Sequence, residues 1–278
     1  MTAPSLVASS EMGCERRSIG DQLRRWRQHR RLSQLDLACA ADISARHLSF
    51  VETGRSLPSR EMILHLADQL EVPFRERNVL LTAGGFAPVF MERSLNDPAI
   101  KAGQQAMSLV LSGHEPYPAL AIDRHWTMVA SNRAIAPLVV GVDPTLLVPP
   151  VNVLRLGLHP HGIAPRIANF AEWRHHLLSR LRHQINVTGD HLLAELMKEV
   201  SSYQLPGTTG NTPAIADELT SVAVPLRLMT ETGILNLIST TTLFGMPQDI
   251  TLAEIAIESF FPADARTVEA LNRLAQKS

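Results

Sequence analysis

The chain has 278 residues, 45% of them apolar, and a net charge of −1 at pH 7. The length suits one large domain or two ordinary ones, and the apolar fraction excludes a mainly disordered chain. The net charge excludes a uniformly basic nucleic-acid-binding protein, yet residues 15–60 hold ten arginines against five acidic residues. That segment carries a net charge of +5, so the rest of the chain is acidic. The split predicts a basic module attached to a neutral or acidic one.

Cysteine content and hydropathy indicate the compartment. Cys14 and Cys39 are too few for a disulfide framework and lack metal-ligand spacing. No apolar run reaches the ~18 residues that a membrane-spanning helix needs. Residues 1–13 have neither the basic start nor the long apolar stretch of a signal peptide. We therefore predict a cytoplasmic protein without a membrane partner.

The first part of the chain predicts a flexible tail over residues 1–17 and a domain of short helices over residues 18–86. In the first helix, Ile19, Leu23 and Trp26 recur on one face. The pattern repeats at short intervals and predicts five helices before the glycine pair that ends the domain.

Helix starts can be placed from capping residues. Ser33 is a predicted N-cap, and Asp36 stands at the third helical position of the same helix. Ser44 and Ser59 are predicted to cap the third and fourth helices, and Pro73 begins the fifth.

A linker is expected over residues 87–97, followed by a mixed α and β domain over residues 98–278. The predicted elements are helices over 97–113, 168–186, 189–203 and 264–277, strands over 118–123 and 126–131, and a loop over 203–213. Residues 218–244, rich in Val, Ile and Thr, predict a hairpin or meander, whereas residues 254–262 fit either a strand or a buried helix. The predicted fold class is α+β.

The stretch DISARHLSFVETGRSLPS, residues 42–59, predicts a helix with a narrow apolar seam. Leu48 and Val51 form the seam, and the residues around them are small or polar. Two helices joined by a tight turn, the second polar at its start, are typical of a helix-turn-helix, whose second helix reads base edges. LSQLDLA and ISARHLSFVETGRSLPS resemble the second helix, and the third helix with its loop, of the XRE-type helix-turn-helix family over residues 19–72.

This resemblance implies sequence-specific binding to double-stranded DNA. The implied DNA contacts are Gln34, Ser44, Ala45, Arg46, His47, Ser49, Phe50, Arg55 and Arg60. It places Arg46 to bind guanine O6 and N7, and Ala45 or Phe50 to touch a thymine methyl group. It also implies a structural ion pair between Arg27 and Glu52.

The chain departs from the family pattern at two turns where glycine is frequent. Asp42 lies in the turn before the recognition helix, and Arg31 ends the first helix. Aspartate tolerates left-handed backbone better than most residues, so we expect the first turn to persist. The resemblance places Ser44, Arg55 and Arg60 along the phosphate backbone.

Three segments, at residues 114–134 (HEPYPALAIDRHWTMVASNRA), 151–182 and 251–271, resemble the MmyB-like ligand-binding domain found behind XRE-type helix-turn-helices in bacteria. The resemblance covers residues 95–275 and implies a PAS-like fold, a sheet with helices around a central cavity. It also implies transcriptional regulation, a homodimer and a fatty-acid-like apolar ligand, with no other cofactor expected. A dimer predicts an inverted-repeat operator.

Aromatic and basic residues in this region are the candidate ligand contacts. Trp126, Phe170 and Trp173 fit either the core or the lining of a pocket. Arg155 and Arg227 lie nearest the apolar runs and are the candidate donors to a carboxylate head group, although an arginine beside a strand is more often solvated.

Metal-binding and enzymatic alternatives have weaker support. His175 and His176 are adjacent, so on a helix they face about 100° apart and cannot easily share an ion. Residues 159–161 place two histidines in a loop without a partner at ligand spacing. No Gly-x-Ser-x-Gly elbow supports a hydrolase. We expect no metal and no enzymatic activity. A domain that only dimerises or docks a protein stays open as an alternative.

Overall fold

The computed structural model describes four ranges of the chain: residues 18–94, 97–205, 224–243 and 249–277. The chain divides into two compact units, the first ending at Phe90 and the second beginning at Met91. The first unit is helical and the second combines helices with an antiparallel sheet, which confirms the α+β class. None of the helices within these ranges is long and apolar enough to cross a membrane.

Short capped helices build the first unit. From residue 18 to Phe90 they are α1 (Ile19–His29), α2 (Gln34–Ala40), α3 (Ala45–Glu52), α4 (Arg60–Gln69) and α5 (Phe74–Ala83). The predicted N-caps Ser33, Ser44 and Ser59 are confirmed, because each side-chain oxygen accepts a backbone N–H of the first turn. Asp36 completes a capping box with Ser33. Each such cap stabilises its helix by about 1 kcal/mol.

The core of this unit is closely packed around α3. Leu23, Leu37, Leu48 and Val51 are fully buried. A Cβ atom on Gly20 would lie 2.5 Å from the carbonyl oxygen of Val51, so only glycine lets α1 approach α3 this closely. The narrow seam predicted for α3 is confirmed.

Two turns of this unit use left-handed backbone without glycine. Arg31, after α1, has φ of 57°, and Asp42, between α2 and α3, has φ of 51°. The turn at Asp42 persists as expected, and the N–H of Ile43 donates to the carbonyl of Ala38 at 2.9 Å. This turn fixes the direction in which α3 leaves α2.

The second unit alternates helices and strands. Its elements are α6 (Lys101–Gly113), β1 (Ala119–Ile122), β2 (Met128–Ser131), α7 (Val153–Leu158), α8 (Phe170–Thr188), α9 (His191–Ser202), β3 (Leu226–Thr230), β4 (Gly233–Leu243), α10 (Ile250–Ala253), β5 (Ala256–Pro262) and α11 (Ala265–Lys277). Short 3-10 helices lie at Pro98–Ile100, Arg133–Val139, Pro144–Leu147 and Ala164–Arg166.

The strands form one antiparallel sheet in the order β2-β1-β5-β4-β3. The segment that fitted either a strand or a helix is the central strand β5, which pairs with β1 on one side and β4 on the other. The predicted hairpin is confirmed in β3 and β4. Parts of that prediction, residues 218–223 and 244, and most of the predicted loop over 203–213 lie outside the described residues.

The two faces of the sheet cover separate cores. On one face Leu120, Leu228 and Leu237 pack in a cluster with residues of α7, α8 and α9. On the other face Ala121 and Ile257 pack with residues of α6. The strand period of two therefore gives this unit two apolar layers.

The buried Asn132 links the end of α6 to the start of β1. It precedes the 3-10 helix Arg133–Val139, but its side chain makes no cap hydrogen bond there. Its Oδ1 accepts from the N–H of Ala119 at 3.1 Å, and its Nδ2 donates to the carbonyls of Leu111 and Tyr117. The end of α6 lies beside β1, so the buried amide of Asn132 can pair with three backbone groups at once.

Candidate functional site

The recognition helix α3 presents one polar side. Leu48 and Val51 are buried, whereas Arg46 is exposed and His47 and Ser49 are half-buried. Helix α3 therefore needs only a thin apolar contact to stay in place, and the groups near its N-terminus remain accessible to a DNA groove.

A buried ion pair holds α3 to α1. Arg27 Nε donates to Glu52 Oε1 at 2.7 Å and Arg27 Nη2 donates to Oε2 at 2.8 Å, with Glu52 only 2% exposed. Burial acts to raise the pKa of Glu52, but hydrogen bonds from Arg27 and Gln34 outweigh it, so this pKa lies below its ordinary value. The hydrogen bond with Glu52 raises the pKa of Arg27. The structure thus contains the Arg27–Glu52 pair that the family resemblance implied.

Gln34 joins this network from the start of α2. Its Nε2 donates to Glu52 Oε2 at 2.8 Å, so the amide nitrogen is committed to the protein. The residue as a whole is half-buried. Gln34 therefore ties α2 to α3, and its assignment as a DNA contact stays a prediction.

Three of the predicted DNA contacts form one cluster. The guanidinium carbons of Arg46 and Arg55 lie 5.4 and 5.9 Å from the centre of the Phe50 ring. Exposed cation–π contacts contribute about 0.5–1 kcal/mol each. The ring of Phe50 thereby orients two cations on the outer side of α3. The i, i+4 spacing predicts the contact of Phe50 with Arg46 but not the contact with Arg55.

Ser44, Ala45 and Arg60 are also predicted DNA contacts. Ser44 caps α3, because its Oγ accepts the N–H of His47 at 3.1 Å. Ala45 is half-buried against the helical core. Arg60 is exposed at the first position of α4. Ser44 and Ala45 thus stand at the start of α3, where base contacts of this motif occur.

The second unit contains a cavity of about 100 Å³ between the sheet and the helices α7 and α8. The residues that line it are Leu120, Trp126, Ile135, Leu138, Val139, Val153, Leu154, Leu156, Gly157, Ile163, Trp173, Leu177, Arg180, Leu226, Leu228, Leu237, Glu258 and Phe260. Nearly all are apolar, as in typical small-molecule sites. The volume is somewhat smaller than the ~150 Å³ apolar cavity that holds one benzene molecule.

The predicted ligand contacts divide between the cavity and other places. Trp126 and Trp173 line the cavity, and Phe170 packs against the same core without lining it. Arg155 donates to Glu199 from Nε at 2.8 Å and from Nη2 at 2.7 Å on the surface. Arg227 is exposed on β3, where its neighbours Leu226 and Leu228 face the core instead. Neither arginine borders the cavity. Arg155 is paired with Glu199 on the surface, and Arg227 lies on the face of β3 that points away from the core.

Sequence reasoning missed the two charged residues that do border the cavity, Arg180 and Glu258. Arg180 follows Leu177 and Trp173 at helical spacing, a signal that places it on the inner side of α8. Glu258 shares the inner face of β5 with Ala256 and Phe260. Because the sequence of this segment fits either a strand or a helix, it does not predict which of its side chains face inward. Glu258 is only 5% exposed.

Arg180 and Glu258 form a paired group with a third residue. Arg180 Nη2 donates to Glu258 Oε1, and Nη1 donates to Oε2 at 3.3 Å. Thr241 Oγ1 accepts from Arg180 Nη2 at 2.9 Å and donates to Glu258 Oε1 at 2.9 Å. The guanidinium also stacks over the Trp126 ring, 5.0 Å from its centre.

Trp126 is held rigidly beside this group. Its backbone has φ of 64°, an unusual value for a bulky residue. Its Nε1 donates to Gln184 Oε1 at 2.8 Å, and Gln184 Nε2 donates to the carbonyl of Arg124. These bonds fix the indole as one wall of the cavity.

Within the described ranges, no group of three or more His, Cys, Asp or Glu residues could hold a metal ion. In the loop at residues 159–161, the N–H of His161 donates to His159 Nδ1 at 3.1 Å, so this ring nitrogen already has a backbone partner.

Comparison with known families identifies a domain in each unit. Residues 18–80 match a helix-turn-helix domain, and residues 104–274, more than half of the chain, match the MmyB-like transcription regulator ligand binding domain. A search of curated proteins found no match. The chain belongs to the MmyB-like family and is a DNA-binding transcription regulator with a helix-turn-helix domain and a ligand-binding domain.

Proposed function

We propose that this regulator is a one-component bacterial sensor. Its first unit binds an inverted-repeat operator as a homodimer, and its second unit binds a small apolar molecule that changes operator affinity. It acts in the cytoplasm, without catalytic activity of its own. The observation that carries this proposal is the apolar cavity of about 100 Å³ inside a chain that also presents a polar recognition helix.

The geometry of α3 supports the proposed DNA contacts. Arg46 binds a guanine edge in the major groove while Phe50 holds its side chain. Arg55, on the other side of the ring, binds phosphate together with Ser44 and Arg60. Two subunits place two recognition helices on half-sites whose centres are about one helical turn, ~10 bp, apart.

The ligand lies among the apolar side chains of the cavity. The family resemblance suggests a fatty-acid-like compound, and the cavity volume favours a short one, because a longer chain must displace lining side chains. A ligand that binds one DNA-binding state about 10- to 100-fold better shifts the equilibrium by roughly 1.4–2.8 kcal/mol. Such a shift is sufficient to change operator occupancy.

Two measurements on the full chain test this proposal. Selection from a random DNA library should return an inverted repeat, bound by a dimer in light scattering. Thermal melting with short alkyl and aromatic compounds should show stabilisation that depends on ligand size, and the same compounds should change operator affinity. An inverted repeat with no response to any compound would leave a dimerisation or docking domain. Turnover in an esterase screen would support the enzymatic alternative instead.

A further inference from the structure

The Arg180–Glu258 pair lies at the boundary between the cavity and the surface. Both side chains line the cavity, and their shared partner Thr241 is exposed. The Glu258 side chain is 6% exposed and that of Arg180 27%. A molecule whose apolar body fills the cavity therefore meets this pair with its polar end.

The pair is electrically balanced. Among the described residues that line the cavity, Arg180 and Glu258 carry the only charges, and they neutralise each other through bidentate hydrogen bonds. His176 lies near the pair. Burial and Arg180 lower the pKa of His176, against the opposing effect of Glu258, so the imidazole is neutral at neutral pH. Among the described residues that line the cavity, no cation is left uncompensated to receive an anionic head group.

We infer that the cavity selects an uncharged amphiphile, a small apolar molecule with one hydroxyl, carbonyl or amide group placed against Arg180 and Glu258. The inference rests on the proposed sensing function and replaces the fatty-acid-like ligand suggested by the family resemblance with a neutral one. A carboxylate or an ammonium group placed against this pair meets one like and one opposite charge at similar distances. The neutral pair therefore does not offset the hydration that a charged group loses on burial. Separating the pair to free one partner is costly too, because it leaves an uncompensated buried charge.

The hydrogen bonds of the pair leave room for a neutral group. Glu258 Oε1 accepts from Arg180 and Thr241, whereas Oε2, within the described residues, accepts only from Arg180 Nη1. Oε2 thus retains acceptor capacity, and the guanidinium has further N–H donors. A hydroxyl group can donate to one and accept from the other without disturbing the ion pair.

Three probes with the same hexyl chain test this inference at neutral pH: hexanol, hexanoate and hexylamine. Trp126 and Trp173 line the cavity, so their fluorescence in the full chain reports binding. We expect hexanol to bind at least about tenfold more tightly than either charged probe. Hexanoate or hexylamine binding as tightly as hexanol would overturn the uncharged-ligand inference while supporting a small-molecule sensor. The absence of binding by all three would contradict the sensing function itself.

Substitution of Glu258 gives a second, independent readout. Glu258→Gln preserves shape but leaves the Arg180 charge unpaired, so hexanoate should gain about tenfold relative to hexanol. Glu199→Gln is the matched control, because it removes the carboxylate of the surface Arg155–Glu199 pair in the same unit and should leave the order of the probes unchanged. An unchanged order in a folded Glu258→Gln variant would overturn the inference. If this variant does not fold, the order of the three probes on the natural chain decides.

Discussion

The two units each contain an arginine paired with a nearly fully buried glutamate, but the surroundings of the two pairs differ. In the first unit, Glu52 accepts from Arg27 and Gln34, and protein groups surround the pair. In the second unit, Arg180 pairs with Glu258 through Nη1 and Nη2 beside an open cavity, whereas Arg27 uses Nε and Nη2. The same chemistry therefore fixes helices where the core is closed and offers a polar anchor where the core has space.

The closed setting predicts the largest effect. Arg27→Met removes the main partner of a buried carboxylate and should lower the stability of the first unit by about 3–5 kcal/mol, since Glu52 is left with the longer 3.5 Å ion pair to Arg24. Urea denaturation of the full chain measures it, with a probe on the first unit. The matched control is Arg155→Met, whose pair with Glu199 is 46% and 38% exposed at the two side chains. It should cost less than about 1 kcal/mol. Equal losses of stability in the two variants would show that burial of the Arg27–Glu52 pair does not increase its contribution.

Acid should weaken the first unit through the same carboxylate. The pKa of Glu52 lies below its ordinary value of 4.5, so its ion pair contributes full stability above that pH. The contribution is lost as pH falls through the folded-state pKa. Glu52→Gln has no group to titrate and should lose less stability than the natural chain over the same acid range. Parallel stability curves for the two proteins in urea titrations would contradict this assignment.

On the exposed side of α3, the predicted effects concern DNA. Arg46→Ala should weaken binding to the selected operator by about 1–3 kcal/mol and relax the preference at one base pair. Arg55→Ala should weaken all sequences alike and reduce the salt dependence by about one unit. Gel shifts over a salt series distinguish the two. Unchanged preference in Arg46→Ala would mean that α3 enters the groove in a different register.

The Phe50 ring predicts a smaller effect on the same surface. Phe50→Leu removes the platform for Arg46 and Arg55 but keeps an apolar side chain, and should weaken operator binding by about 1 kcal/mol, roughly fivefold. Phe50→Tyr keeps the ring and should bind nearly normally. If Leu and Tyr bound equally well, Phe50 would act through an apolar base contact rather than by orienting the arginines.

The two units also differ in how much of their structure could be predicted from the sequence. Capping serines and helical periodicity are local signals, and they placed the helices of the first unit and the buried side of α3. The Arg27–Glu52 pair followed only from a family resemblance, because its partners are far apart in sequence. In the second unit the elements were largely predicted, but short ones such as α7 were not, since six residues show little periodicity.

The polar anchor of the cavity was the part least accessible to sequence. The apolar runs beside Arg155 and Arg227 favour these two arginines as head-group donors, yet a strand turns alternate side chains to opposite faces. Arg227 accordingly faces away from the core. Glu258 lies in a segment whose sequence fits either a strand or a helix. Its hydrogen-bond partner Arg180 is 78 residues away in the sequence. Long-range pairing across a sheet cannot be read from local pattern.

The smallest expected effect tests whether the second core has space that the first lacks. Gly157, on α7, borders the cavity, and a Cβ atom there would meet only Leu177 Cδ1 at 4.0 Å. Gly157→Ala should therefore stabilise the second unit by about 0.5–1 kcal/mol, because it restricts the unfolded chain and strains nothing in the folded one. In the closed first core, Gly20→Ala should destabilise, since its Cβ would lie 2.5 Å from the Val51 carbonyl oxygen. Melting curves of the two variants measure both signs. Destabilisation by Gly157→Ala would show that α7 packs more tightly against the cavity than the structure indicates, and would remove the space on which ligand binding depends.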